Sequence, residues 1–142
     1  MIARDLMTQN PACATMDTPL QEVARMMVQC DCGEIPVVER QDLRKLVGVV
    51  TDRDIVVRAI AQGKNPLTMT SGDVMTSPAV TANEDVDASA VKKLMERHQI
   101  RRVPIVMLSG EICGIVSLAD VARRDSRKDT GDVVREVSAP AR

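Results

Sequence analysis

Two stretches of the chain hold a hydroxyl and a carboxylate at the same spacing. Thr51 and Asp54 lie in GVVTDRDIVVRAI, which starts at Gly48, and Ser117 and Asp120 lie in GIVSLADVARRD, which starts at Gly114. In each, a glycine and two β-branched residues lead to the hydroxyl, and the acid follows three positions later. An ionised aspartate is acceptor-only, so its two oxygens suit a partner with neighbouring hydroxyl donors. Each hydrogen bond to such a charged group contributes roughly 1.5–3 kcal/mol. The apolar run reads as a strand and the residues after it as a helix. The acids therefore fall in a first helical turn, where free N–H groups and the dipole favour anions. The same spacing is also that of a capping box, in which the hydroxyl caps the helix and the acid reaches back. A single corner fits a cap alone. A second corner at a matched place favours ligand contact beside the cap, with the aspartates exposed.

The elements that carry these corners are also written twice. DLMT at Asp5–Thr8 returns as DVMT at Asp73–Thr76, and EIPVV at Glu34–Val38 returns as RVPIV at Arg102–Val106. Each copy begins with a short strand, Ala12–Thr15 or Ala79–Thr81. An amphipathic helix follows, with Leu20, Val23, Met26, Met27 and Cys30 on one face in the first copy. In the second copy Val86, Ala90, Val91, Leu94 and Met95 do the same. Thr18, Pro19 and Gln21 read as N-cap, first helical residue and capping-box partner. A hairpin and a closing helix, Asp52 to about Ala61 or Leu118 to about Arg124, complete each copy. The expected fold is α+β: two β-α-β-β-α repeats, each unable to cover its own sheet, packed as a pseudo-two-fold module. The boundaries read as repeat 1 at 1–62, a linker at 63–72, repeat 2 at 73–125 and a C-terminal tail at 126–142.

The ordered set of pieces resembles a tandem pair of CBS domains, a Bateman module, from about Asp5 to about Asp125, and is similar to stand-alone bacterial CBS-pair proteins. The resemblance implies an adenosine-type ligand (AMP, ADP, ATP or S-adenosylmethionine) in clefts between the repeats, acting as a regulatory ligand rather than a cofactor. It places Asp54 and Asp120 on ribose hydroxyls, Thr51 and Ser117 near ribose or phosphate, and the strands around Pro36 and Pro104 at the base. Thr8, Thr76 and Val80 complete the implied set. Arg101 and Arg102 precede the second strand where the first copy has Gly33 and Glu34. Arginine forks suit phosphate and a glutamate repels it, so the two sites are expected to be inequivalent.

Composition bounds the rest. A net charge of −1 with 27% charged residues gives no general pull toward nucleic acid or anionic membranes. No apolar run is long enough to span a bilayer, and the N-terminus has no apolar signal core, so a cytoplasmic location is expected. With no Phe, Tyr or Trp, the core falls to aliphatic residues and nine Met. Cys13, Cys30, Cys32 and Cys113 are expected as free thiols. Cys30 and Cys32 with His98 make only a weak metal motif, and no metal is expected. One histidine and no nucleophile–base pair argue against an enzyme. The competing roles are a nucleotide-sensing module read by an unknown regulated protein and a ligand-free dimerisation or docking module. A homodimer is expected under both, through Met26, Met27, Leu94 and Met95. Arg123, Arg124, Arg127 and Lys128, interleaved with Asp120, Asp125 and Asp129, read as a solvated helix end. TGDVVREVSAP reads as an extra packing segment.

Overall fold

The computed structural model describes residues 1–124. The tail segment and the residues Asp125, Arg127, Lys128 and Asp129 lie outside the described residues. Elements run α1 (Ala3–Leu6), β1 (Thr8–Gln9), β2 (Ala14–Thr15), α2 (Leu20–Cys30), β3 (Glu34–Val38), β4 (Leu46–Thr51) and α3 (Asp52–Arg58). After two short 3-10 turns come α4 (Ser71–Val74), β5 (Ala82–Asn83), α5 (Ala88–His98), β6 (Arg102–Val106), β7 (Ile112–Ser117) and α6 (Leu118–Arg124). The mixed helix and strand content agrees with the α+β reading.

The chain divides into two compact units that are not contiguous in sequence. The first-repeat unit comprises residues 12–79 with 109–112, and the second-repeat unit comprises residues 1–11, 80–108 and 113–124. In the first, a three-stranded sheet has the order β2-β3-β4, with β2–β3 parallel and β3–β4 antiparallel. In the second, the order is β1-β7-β6-β5, so the chain's first strand joins the sheet of the later repeat.

Matched hydrogen bonds show how this comes about. In the second-repeat unit, the Ala3 and Arg4 N–H groups donate to Val86 and Glu84 carbonyls at 2.8 and 3.0 Å. In the first-repeat unit, at positions 68 residues further along, Ser71 and Gly72 donate to Thr18 and Met16 at 2.8 and 2.9 Å. The segments that carry DLMT and DVMT thus each pack on the opposite end of the repeat pattern from where their sequence position suggests. Arg4 also pairs with Asp85, and with Glu84 at 3.6 Å, across the same seam.

Each unit has its own aliphatic core. Leu20, Val23, Ile35, Val37, Val50 and Val74 are buried in one. Leu6, Val91, Met95, Val103, Ile105 and Val116 are buried in the other. The apolar faces expected on α2 and α5 are therefore spent inward. Met95 is fully buried, and Met26, Met27 and Leu94 lie partly buried against the cores. Full burial corrects the expectation for Met95, which has no surface to offer a second chain, while Met26, Met27 and Leu94 keep part of theirs open. The apolar side chains left exposed around α3 are Val56, Val57 and Ile60.

Three local expectations also change. The short strand of the second copy is Ala82–Asn83 rather than Ala79–Thr81, matching Ala14–Thr15 in the first. Helix α2 is capped at Pro19 without a side-chain bond, because the Thr18 hydroxyl instead accepts from the Thr15 N–H at 2.9 Å. Cys30 and Cys32 form a disulfide rather than free thiols. Asp31 between them adopts a left-handed φ of 53° at the helix C-cap, which turns the chain and sets their Cα atoms 5.3 Å apart. Among the described residues, no helix is long and apolar enough to cross a membrane.

Candidate functional site

Each corner is built from the end of a hairpin strand and the first turn of a helix. In the first-repeat unit β4 ends at Thr51. Its hydroxyl accepts from the Asp54 N–H at 3.0 Å, and Asp54 Oδ2 accepts from the Thr51 N–H at 3.0 Å. In the second-repeat unit the Ser117 hydroxyl accepts from the Asp120 N–H at 3.2 Å, and Asp120 Oδ2 accepts from the Ser117 N–H at 2.8 Å. Both are complete reciprocal caps. The aspartates are buried, Asp54 at 8% and Asp120 at 5% exposure. This corrects the expectation of solvent-facing acids. The reach back to the N-cap amide draws each carboxylate under its own helix end.

The second carboxylate oxygen differs between the corners. Asp54 Oδ1 accepts from the Thr76 hydroxyl at 3.0 Å, and Arg58 Nε lies 3.9 Å away. Arg58 is itself held by the Val74 and Met75 carbonyls at 3.0 and 2.7 Å. Asp120 Oδ1 instead accepts from Arg123, whose side chain is 70% exposed. A carboxylate has about four lone-pair sites. At Asp54 each oxygen already meets two partners, the Thr51 N–H and Thr76 hydroxyl on Oδ2 and the Thr76 hydroxyl and Arg58 on Oδ1, whereas Asp120 pairs with the Ser117 N–H on Oδ2 and Arg123 on Oδ1.

The structure brings Thr76 to Asp54. Thr8, its counterpart, pairs with Ile115 in β1–β7 and is exposed. Val80 lies half-buried in the connection before β5. Pro36 and Pro104 sit buried within β3 and β6. Pro36 faces Val49, whose own N–H and carbonyl bond Thr76 at 3.0 and 2.8 Å. The proline's missing donor is therefore not needed on that side. Arg101 is exposed and Arg102 half-buried, with the Arg102 Nε buried and making no hydrogen bond among the described residues.

Sequence reasoning missed Arg58 and Arg123 as partners of the acids, although both lie one helical turn along. It noted Gly48 and Gly114 as leading each corner but not what they make room for. A Cβ on Gly48 would stand 2.6 Å from the Thr76 carbonyl oxygen, and one on Gly114 would stand 2.5 Å from the Met7 sulfur. The glycines let the exchanged segments cross the strands at the corners. A glycine repeated inside a strand pattern is the signal that could have found this. Among the described residues, no three His, Cys, Asp or Glu side chains are grouped to hold a metal ion.

Comparisons with known proteins find the same repetition. The family model for the CBS domain matches twice, at residues 3–60 and 72–127. The CBS domain-containing protein YhcV of Bacillus subtilis is 38% identical over 136 residues, covering 95% of this chain and 94% of its own. An uncharacterized protein of Methanopyrus kandleri is 35% identical over 118 residues, 83% of this chain, and the chain spans 57% of its length. The crystal structure of Hypoxic Response Protein I with two coordinated zinc ions aligns at TM-score 0.79 and 32% identity, covering 89% of this chain and 100% of that one. The CBS domain pair of protein MJ0100, in complex with 5′-methylthioadenosine and S-adenosyl-L-methionine, aligns at TM-score 0.75 and 29% identity, covering 87% and 94%. The chain belongs to the CBS-domain family and carries two copies of the domain.

Proposed function

We propose that the chain is a regulatory module that binds adenosine-type compounds, with a binding corner in each repeat. Asp54 and Asp120 would accept from ribose hydroxyls, with Thr51 and Ser117 beside them. The strands at Pro36 and Pro104, with Val80, would line the base, and Thr8 and Thr76 would flank the sugar. Arg101 and Arg102 would face phosphate. The observation that carries the reading is the repeated corner: a hydroxyl and a carboxylate held by the same reciprocal helix cap in both units. The adenosyl compounds in the MJ0100 complex support the ligand class. Regulation follows if the ligand prefers one conformation and a partner protein, or a second copy of the chain, reads the shift.

A second reading has an observation in its favour. Exposures of 8% and 5% fit acids that only tie down their own helices, in a module that docks a partner without ligand. Absorbance separates the two. The chain has no Trp or Tyr, so a co-purified adenine compound would dominate the spectrum near 260 nm. Calorimetric titration with AMP, ATP and S-adenosylmethionine then tests binding directly. Saturable heat with any of them supports the sensor, and silence with all of them favours the docking module.

A further inference from the structure

The two corners are matched in backbone and opposed in charge. The Asp52 N–H donates to the Gly33 carbonyl at 3.0 Å, and the Leu118 N–H donates to the Arg101 carbonyl at 2.7 Å. These bonds fix the equivalence of Gly33 with Arg101 and of Asp52 with Leu118, and β3 and β6 then begin with Glu34 and Arg102. At Gly33 the missing side chain is filled by acid. A Cβ there would stand 2.8 Å from Asp52 Oδ2. The helices that lead into the corners follow the same division. Helix α2 ends with no basic residue in its last turn and Asp31 as its C-cap, whereas α5 ends with Arg97 and His98. Asp31 and Asp52 share an open recess of about 470 Å³ with Met27, Val28, Cys32 and Gly33.

Resting on the function proposed above, we infer that the two corners select adenosine compounds of opposite charge. The first-repeat corner, with Asp31, Glu34 and Asp52, takes an uncharged or cationic adenosyl compound such as a thioether or a sulfonium. The second-repeat corner, with Arg97, Arg101 and Arg102, takes an adenosine phosphate. A phosphate at the first corner would meet carboxylates and the negative end of α2. A sulfonium there would meet its counter-charge, and the apolar Met27 and Val28 suit its aliphatic arm. At the second corner, arginine forks match phosphate oxygens.

The test is calorimetry on the full chain at low salt with AMP, S-adenosylmethionine and 5′-methylthioadenosine, singly and in competition. The inference expects AMP and S-adenosylmethionine to bind without competing. Asp52→Asn with Glu34→Gln should weaken S-adenosylmethionine at least 5-fold relative to 5′-methylthioadenosine and leave AMP unchanged. Arg101→Ala with Arg102→Ala should weaken AMP at least 10-fold and leave S-adenosylmethionine unchanged. The differences should shrink at high salt. Competition between AMP and S-adenosylmethionine for one site, or an unchanged preference in the Asp52/Glu34 variant, overturns charge selection while the binding function stands. No binding of any of the three overturns both. Thermal unfolding of each variant shows whether it is folded, and single substitutions replace the pair where it is not.

Discussion

The Thr76 hydroxyl donates to the carboxylate of Asp54, with Oδ1 at 3.0 Å and Oδ2 at 3.2 Å. Twenty-two residues separate them, and Thr76 belongs to the segment that opens the second copy of the sequence pattern. The first corner is thus closed by residues that the repeat would assign elsewhere. Replacing Thr76 with Val removes one charge-assisted bond at a half-buried site. Urea denaturation should show a loss of about 1–2 kcal/mol, and Thr76→Ser should restore most of it.

The two aspartates should differ in what they cost to remove. Asp54→Ala strands the Thr76 hydroxyl and the Thr51 amide together, so about 2–4 kcal/mol is expected. Asp120→Ala loses a cap and an ion pair to the exposed Arg123, and about 1–2 kcal/mol is expected. Denaturant midpoints of the two variants check the order. Equal midpoints would mean that Thr76 contributes nothing.

Gly48 and Gly114 test the crossing of the exchanged segments. Gly48→Ala sets a methyl 2.6 Å from a backbone oxygen of Thr76, which has no rotamer to escape into. Gly114→Ala meets Met7 Sδ at 2.5 Å and Met7 Cγ at 2.7 Å, the mobile end of a flexible side chain. Melting temperatures should fall in both, and further in Gly48→Ala.

What the sequence revealed and what it hid divide along locality. The hydroxyl and acid of each corner sit three residues apart, so their reciprocal cap was readable, as were the hairpin strands around Pro36 and Pro104 and the start of α3. The exchange of DLMT and DVMT was not. Those motifs precede the copy they resemble, and only packing decides which sheet they join. The burial of Asp54 was hidden for the same reason, since Thr76 closes over it from another part of the unit, beside Arg58 one turn along α3. The Cys30–Cys32 bond depends on the left-handed turn at Asp31, a conformation that C-x-C spacing alone does not dictate.

Thiol chemistry offers a prediction with a definite sign. Without reductant, Cys13 and Cys113 should be the free thiols, and full reduction should add Cys30 and Cys32. Burial pushes the Cys13 thiol above its ordinary 9.0, with Arg44 opposing the shift. Burial raises Cys113 likewise, with Glu84 adding to it. Both groups hold their protons longer in the folded state than in the unfolded chain. Their contribution to stability is therefore present below pH 9.0 and is lost as pH rises from there toward the folded values. Alkylation rates of the folded chain should keep climbing above pH 9.0, whereas those of the unfolded chain level off.

The most direct measurement is equilibrium titration of adenosine compounds into the wild-type chain and into Asp54→Asn with Asp120→Asn, a change that keeps shape and removes charge. Saturable binding to the wild type, weakened at least tenfold in a variant that still unfolds cooperatively, is the expected result. Undiminished affinity in the folded double variant would mean that the sugar is held elsewhere and that the paired corners serve only their own helices.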